Sequence, residues 1–250
     1  MASEIRRSFG GKVLARRFRR FGAFFAILPL GWVTPVKAQI GVSATLTSDY
    51  QYRGLSLSDG KPALSLNIAY DHDTGAYGGG TAIAEETAHE GVQMLGYVEY
   101  LGYSHRAGLE KSWDIGVTNQ TIDKYYDEKY ELNYTQAYAG FSTSHFSYYV
   151  YYSPNYFGEN VSTVYLDLTG GFRPAPRLRL FGHVGVLTAL GRPEWATSPP
   201  AQYDLRAGVA AEFKGGEVQL AWTTAHGDFD YLAGQPQKRA ALVLSATCFF

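Results

Sequence analysis

The sequence AALVLSATCFF, residues 240–250, decides the fold. An apolar side chain recurs at every second position from Ala240 to Phe250, which is the period of a β-strand. In a closed barrel within a lipid bilayer, the last strand pairs with the first, because that pairing removes both exposed edges. The segment therefore predicts the closing strand of a transmembrane barrel. A C-terminal strand of a soluble sandwich is the alternative.

The final aromatic residue has a second implication. Phe250, with apolar residues at alternate positions before it, resembles the assembly signal of bacterial outer-membrane barrels. This resemblance implies two partners, the barrel-assembly machinery and the lipids of the bacterial outer membrane. The single cysteine, Cys248, is predicted to face lipid and to have no chemical role.

Residues 1–38 have the pattern of a cleaved signal peptide. A basic leader comes first, followed by the apolar run Phe21–Val33, which is short for a membrane span and contains Pro29. Val36 and Ala38 then place small residues where a signal peptidase reads them. Cleavage near Ala38 would leave residues 39–250 as one barrel domain, and a retained anchor helix is the alternative. The basic residues of the leader are Arg6, Arg7, Lys12, Arg16, Arg17, Arg19, Arg20 and Lys37.

Removing the leader changes the charge balance. The leader contains eight of the 22 basic residues and one of the 23 acidic residues, so the remaining part has 14 basic and 22 acidic residues and a net charge of −8. Such an acidic chain argues against nucleic acid as a partner. All 20 tyrosines lie in the remaining part, which suits a barrel with aromatic girdles.

The alternation of apolar and polar residues predicts an all-β, antiparallel up-and-down barrel of about twelve strands. In the first predicted strand, for example, Val42, Leu46, Tyr50 and Tyr52 face outward. The predicted strands lie near 41–53, 63–71, 76–84, 93–104, 112–118, 130–142, 146–152, 162–171, 178–187, 203–213, 217–224 and 240–250.

The connections between these strands provide an independent test. Short turns such as His72–Gly75 and the stretch around Lys214 alternate with longer segments such as 119–129, 153–160 and 226–238. An outer-membrane barrel has short periplasmic turns and longer outer loops, whereas a soluble sandwich has no reason to alternate in this way.

Three stretches carry a family resemblance. ATLTSDYQYRGLSLSDGKPAL (44–64) contains a DYxxRGxS-like motif, and YYSPNYFG (151–158) and Gly182–Gly185 are further matches. They resemble the TorF family of porins. The resemblance implies an outer-membrane barrel with channel activity, and one departure is Gln136, where the family pattern leads us to expect Glu. The motif residues are Asp49, Tyr50, Arg53, Gly54 and Ser56.

Polar residues at inward positions are the candidate pore lining. They could form a rigid, salt-bridged network or a charged constriction that sorts solutes, and an excess of acid would favour cations or neutral solutes. Arg53 is expected to lie between Asp49 and Asp71. A barrel of about twelve strands leaves open either a narrow pore or a plugged lumen. The predicted inward residues are Asp49, Gln51, Arg53, Asn67, Asp71, Asp114, Gln136, Asp167, Arg179, His183, Asp204, Arg206, Glu212, Gln219 and Arg239.

The predicted function is passive diffusion of small hydrophilic solutes, and the chain is not expected to be an enzyme. A non-conducting structural or adhesive barrel and a barrel-type hydrolase are the alternatives. For the hydrolase, only His226, Asp228 and Asp230 in the last outer loop offer an Asp/His group that could activate water. No metal-ligand spacing, phosphate loop or nucleotide motif occurs, so no cofactor is expected.

Overall fold

A computed structural model describes most of the region predicted to form the barrel. Residues 1–38 and Arg239 lie outside it, so the predicted signal peptide and one predicted lumen residue are not described. Within the described part, no helix is long and apolar enough to cross a membrane. The described ranges are 39–87, 91–108, 110–122, 132–156, 161–191, 201–227 and 240–250.

Strands account for almost all of these residues. Twelve form the barrel, and two of only two residues each form a separate small hairpin. The strands are β1 Gln39–Thr47, β2 Gln51–Tyr52, β3 Leu55–Ser56, β4 Ala63–Asp71, β5 Ala76–Thr87, β6 Gly91–Arg106, β7 Ser112–Ile122, β8 Leu132–Ser142, β9 Phe146–Ser153, β10 Thr163–Ala175, β11 Leu178–Ala189, β12 Ala201–Phe213, β13 Gly216–Gly227 and β14 Ala240–Phe249.

The barrel closes through its first and last strands. Each barrel strand pairs antiparallel with its sequence neighbours, and β14 pairs with β1 in the register Ser43 with Phe249 and Thr47 with Ser245. The amide of Phe250 also donates to the carbonyl oxygen of Val42 at 2.9 Å. The predicted antiparallel barrel of twelve strands and the role of residues 240–250 as its closing strand are confirmed.

The outer surface of the barrel is apolar. Leu66 and Leu244 are 51% and 53% exposed, as the alternation predicts for lipid-facing residues, and Cys248 is exposed as well. Exposed aromatic side chains collect near the ends of the strands that meet the short turns, where an interfacial girdle would lie. They include Tyr70, Tyr103, Trp113, Phe141, Phe146, Tyr148, Phe172, Phe213 and Phe250.

The predicted alternation of connections holds with one exception. The turns 72–75, 107–111, 143–145, 176–177 and 214–215 all lie at one end of the barrel. The connections at the other end are longer, apart from the one after β5, which spans only 88–90. We refer to the two ends as the short-turn end and the long-loop end.

The first predicted strand is too long. We expected residues 41–53 to be one strand with Tyr50 and Tyr52 facing lipid, but β1 ends at Thr47. Tyr50 is only 4% exposed and packs inside the lumen. The chain leaves the wall after Thr47 and turns inward, so the alternating pattern beyond that point no longer describes a strand. We call residues 48–61 the lumen hairpin, because it contains β2 and β3.

Cysteine labelling tests which side chains face lipid. In a Cys248→Ser background, cysteines at Leu66 and Leu244 should react with a lipid-soluble maleimide and resist a membrane-impermeant one, because both side chains lie on the apolar outer surface. Cysteine at His72, in an exposed short turn, is the control and should react with the impermeant reagent. Equal reaction of all three sites with the impermeant reagent would contradict the assigned faces.

Candidate functional site in the barrel lumen

The lumen hairpin is organised around the carboxylate of Asp49. Its Oδ1 accepts hydrogen bonds from the Ser56 hydroxyl at 2.5 Å and from the Gly60 amide at 3.3 Å, and Ser58 Oγ lies 3.2 Å away. The Gln51 side-chain amide donates to Oδ2. Because hydrogen bonds to an ionised acceptor are stronger than neutral ones, one buried side chain ties both arms of the hairpin together.

The tip of the hairpin needs glycine at position 54. Arg53 and Gly54 have positive φ values of 49° and 73°. A Cβ atom at Gly54 would lie 2.7 Å from the carbonyl oxygen of Thr224 and 2.8 Å from the Cβ of Ala225, both on β13. Glycine thus allows the turn and also allows the hairpin tip to pack directly against the barrel wall.

The guanidinium of Arg53 lies among tyrosine rings inside the lumen. Its central carbon is 3.9 Å from the centroid of the Tyr165 ring and 5.0 Å from that of Tyr52, within the range of cation–π contacts. One terminal nitrogen donates to the Tyr156 hydroxyl at 3.1 Å and the other to Gln136 Oε1 at 3.0 Å.

The expected partners of Arg53 were wrong. Asp49 is engaged within the hairpin, and Asp71 lies at the short-turn end, where it is paired in register with Gln39 and Tyr77. Among the ion pairs between described residues, none involves Arg53. The reason is the inward turn after Thr47, which moves Arg53 away from the wall position that the alternation had assigned to it.

A second cluster surrounds Asp114 on β7. Asp114 is 1% exposed and accepts hydrogen bonds from the Tyr77 hydroxyl at 2.6 Å and the Tyr149 hydroxyl at 3.2 Å. The hydroxyl of Tyr138 contacts that of Tyr77. The carboxylate is therefore covered by phenols and contributes little open negative charge to the lumen.

His183 joins two further carboxylates. Its Nε2 is 2.8 Å from Asp204 and its Nδ1 is 3.3 Å from Asp167. The Tyr165 hydroxyl donates to Asp204 at 3.0 Å, and the Thr169 hydroxyl donates to Asp167 at 3.1 Å. These contacts link β10, β11 and β12 and place Tyr165 between the His183 cluster and Arg53.

An ion-pair network closes part of the short-turn end. Arg179 donates to Glu217 at 2.8 Å and lies 3.9 Å from Glu212, and Arg173 pairs with Glu212. These residues flank the turns 176–177 and 214–215. Buried charges of this kind must be paired, since an isolated one would lose its hydration without compensation.

A cavity of about 180 Å³ remains inside the barrel. The lumen hairpin borders it through Tyr50–Gly54, and the barrel wall contributes the rest of the lining. Polar and charged side chains in that lining include Gln120, Gln136, Asp167, His183, Asp204, Arg206 and Gln219, with Tyr100 and Phe181 among the aromatic ones.

Asp49, Gln51 and Arg53 belong to the lumen hairpin and not to the wall strand in which they were predicted. The other predicted inward residues that are described form several separate groups on the wall. Arg53 and Gln136 meet at the hairpin, Asp167, His183 and Asp204 meet on β10–β12, and Arg179 and Glu212 meet at the short-turn end. Asn67 is bonded to Thr81 at 2.8 Å, away from all of these. Arg206 bonds to Gln219 at 3.2 Å.

The residues that sequence reasoning missed are the lumen tyrosines. Tyrosines surround the hairpin and form most of an internal aromatic core with Leu57. Their inward position follows from the strand alternation in several cases, as for Tyr165 between Val164 and Leu166. The lumen tyrosines of this core are Tyr50, Tyr77, Tyr100, Tyr134, Tyr138, Tyr149, Tyr151, Tyr156 and Tyr165.

Residues 34–249 match the family described as "Bacterial protein of unknown function (Gcw_chp)". The chain belongs to this family. The match spans the described barrel strands and the lumen hairpin. No curated protein sequence matches the chain.

Solved structures similar to this chain include an outer membrane protein and an autotransporter translocator domain. A loop-deletion form of OmpT from Vibrio cholerae is 9% identical, with 86% of this chain and 99% of that chain covered and a TM-score of 0.40. The translocator domain of the autotransporter NalP from Neisseria meningitidis is 12% identical, with coverage of 86% and 88% and a TM-score of 0.41.

Substitution of Gly54 tests how the hairpin is seated. Gly54→Ala should release the hairpin from the wall, because the methyl group would clash with β13 and the positive φ would be strained. A cysteine at buried Leu57 in a Cys248→Ser background should then react faster with a water-soluble maleimide. Gly191→Ala is the control, since a Cβ there meets no atom within 4 Å. Unchanged protection of Leu57→Cys in the Gly54→Ala variant would contradict the assigned packing.

Proposed function

We propose that the protein is an outer-membrane channel for small hydrophilic solutes in which the lumen hairpin is the gate. The observation that carries the proposal is that the lumen contains a cavity and also holds a segment that lies outside the barrel ladder. The resemblance to the TorF porin family and the aromatic girdle agree with it.

The hairpin is held in a way that permits movement. Its own ladder has only two pairs, Gln51 with Ser56 and Tyr52 with Leu55. Near its tip, its polar contacts to the wall are made largely by side chains, such as Arg53 to Gln136 and Gln202 to the Arg53 carbonyl oxygen at 3.1 Å. The hairpin could therefore leave the lumen without breaking a barrel strand.

The size of the barrel fits a gated channel. Barrels of about eight strands are filled by their own side chains, and those of 16 to 18 leave a wide channel. Twelve strands leave space that the wall side chains do not fill, and here the hairpin occupies much of it. Removing the hairpin should leave a narrow, water-filled path.

A non-conducting structural barrel is the second candidate, and the internal aromatic core favours it. Burial of Leu57 alone contributes about 2 kcal/mol, and the surrounding tyrosines add to it. A lumen that never opens would gain stability from this core in the same way. We propose no enzymatic role. The side chain of His226 is exposed, and its ring lies 5.5 Å from the Tyr203 ring in a tilted contact. Asp228 and Asp230 lie outside the described residues.

Conductance of the refolded protein in planar bilayers distinguishes the two candidates. The unaltered chain should show small conductance with frequent closures. Replacement of residues 50–60 by a short Gly/Ser linker should give a larger conductance with few closures, because the path is no longer blocked. Replacement of exposed loop residue Gly191 by Ala is the control and should behave like the unaltered chain. If neither the unaltered nor the hairpin-deleted protein conducts, although the gel mobility of each shows that it is folded, the result would favour the structural barrel.

A further inference from the structure

The charges around the lumen cavity are unevenly compensated. Three arginines line it, Arg53, Arg179 and Arg206, but only Arg179 forms an ion pair within the described part of the chain. Arg206 has Gln219 as its hydrogen-bond partner and lies 5.3 Å from the centroid of the Phe181 ring. The guanidinium of Arg179 lies at the same distance from that ring, so two cations flank Phe181.

The carboxylates of the cavity do not offset these cations directly. Asp167 and Asp204 are the acidic residues in the lining, and both contact His183. Each also accepts a hydrogen bond from a hydroxyl, of Thr169 or Tyr165. Four other acidic residues of the described lumen have partners elsewhere: Asp49 in the hairpin, Asp114 with tyrosines, and Glu212 and Glu217 with arginines.

A buried donor points to the same conclusion. Gln136 Oε1 accepts a hydrogen bond from Arg53, which fixes the orientation of the amide. Its Nε2 is buried and has no hydrogen-bond partner in the protein, and Gln136 lines the cavity. Buried donors are almost always paired, so an acceptor atom is expected at this position.

We propose that the cavity binds a small organic carboxylate, held between Arg53 and Gln136 on one side and Arg206 on the other. The planar fork of an arginine side chain matches a carboxylate with two parallel hydrogen bonds. Val98, Tyr100 and Phe181 in the lining suit the carbon skeleton of an organic acid better than a fully hydrated inorganic ion.

The size of the cavity limits the ligand. A volume of about 180 Å³ has room for on the order of ten water molecules or for an organic acid of roughly that many non-hydrogen atoms. As a statement about the transported solute, this inference rests on the proposed channel function. As a statement about a binding site, it does not depend on conductance.

Equilibrium binding to the refolded full-length barrel in detergent tests the proposal. Isothermal titration with succinate and acetate should give saturable binding, whereas neutral succinamide should give none. Arg206→Gln should weaken binding about tenfold or more, because a charge-assisted contact is lost. Arg177→Gln, the same change at an exposed turn residue outside the cavity, is the matched control and should bind like the unaltered protein.

A near-isosteric change at the other side of the cavity gives a second test. Gln136→Glu places a carboxylate next to the Arg53 guanidinium, so it should also weaken succinate binding while the barrel keeps its heat-modifiable gel mobility. The proposal would be overturned if succinate and succinamide bound equally, or if neither succinate nor acetate bound. It would also be overturned if inorganic phosphate bound in place of carboxylates, or if the affinity for succinate were unchanged in both Arg206→Gln and Gln136→Glu. If the protein conducts but does not bind carboxylates saturably, the channel function stands and this site does not. If the protein binds carboxylates saturably but does not conduct, the site stands and the channel function does not.

Discussion

The buried carboxylate of Asp49 determines what the first connection of the barrel does. A connection of this length would ordinarily extend into solvent. Here the hydrogen bonds from Ser56 and Gly60 to Asp49 hold it as a compact hairpin. Tyr50 and Leu57 of this hairpin are buried in the internal aromatic core. The direction of the hairpin follows from Gly54, which lets its tip touch β13. The position of Arg53 and the shape of the cavity both depend on this folding.

The position of Arg53 shows how the lumen tolerates a buried cation. Tyrosine rings and the amide of Gln136 take the place of a carboxylate partner. The other charged groups of the lumen are arranged differently: carboxylates on β10–β13 contact His183, Arg173 or Arg179, and Asp114 is covered by phenols. The excess of acidic over basic residues after residue 38 therefore does not produce an acidic cavity, because the described lumen carboxylates have local partners.

The wall of the barrel was predictable from sequence and the interior was not. Strand alternation is a local property, so the outward position of Leu66 and the inward position of Asp204 follow directly from it. The same pattern failed at Tyr50 and Tyr52, because polar and aromatic residues continue to alternate after the strand has ended at Thr47. Tyrosine is also accepted both at a lipid interface and in a packed lumen, so its identity did not reveal the error. The motif DYxxRGxS contained the missing information, since Asp49, Gly54 and Ser56 are the residues that form and seat the hairpin.

Hydrogen exchange at the backbone of the lumen hairpin tests the central claim most directly. The Leu57 amide donates to the Tyr50 carbonyl oxygen at 2.8 Å, and the Tyr50 amide donates to Ser58 Oγ at 2.8 Å, both inside the lumen. In the refolded barrel these two amides should exchange orders of magnitude more slowly than an unstructured chain, and Asp49→Asn should accelerate them while leaving the β1–β14 pairing protected. Exchange of both amides at the rate of an unstructured chain in the unaltered protein would show that residues 48–61 do not fill the lumen, and it would contradict the account.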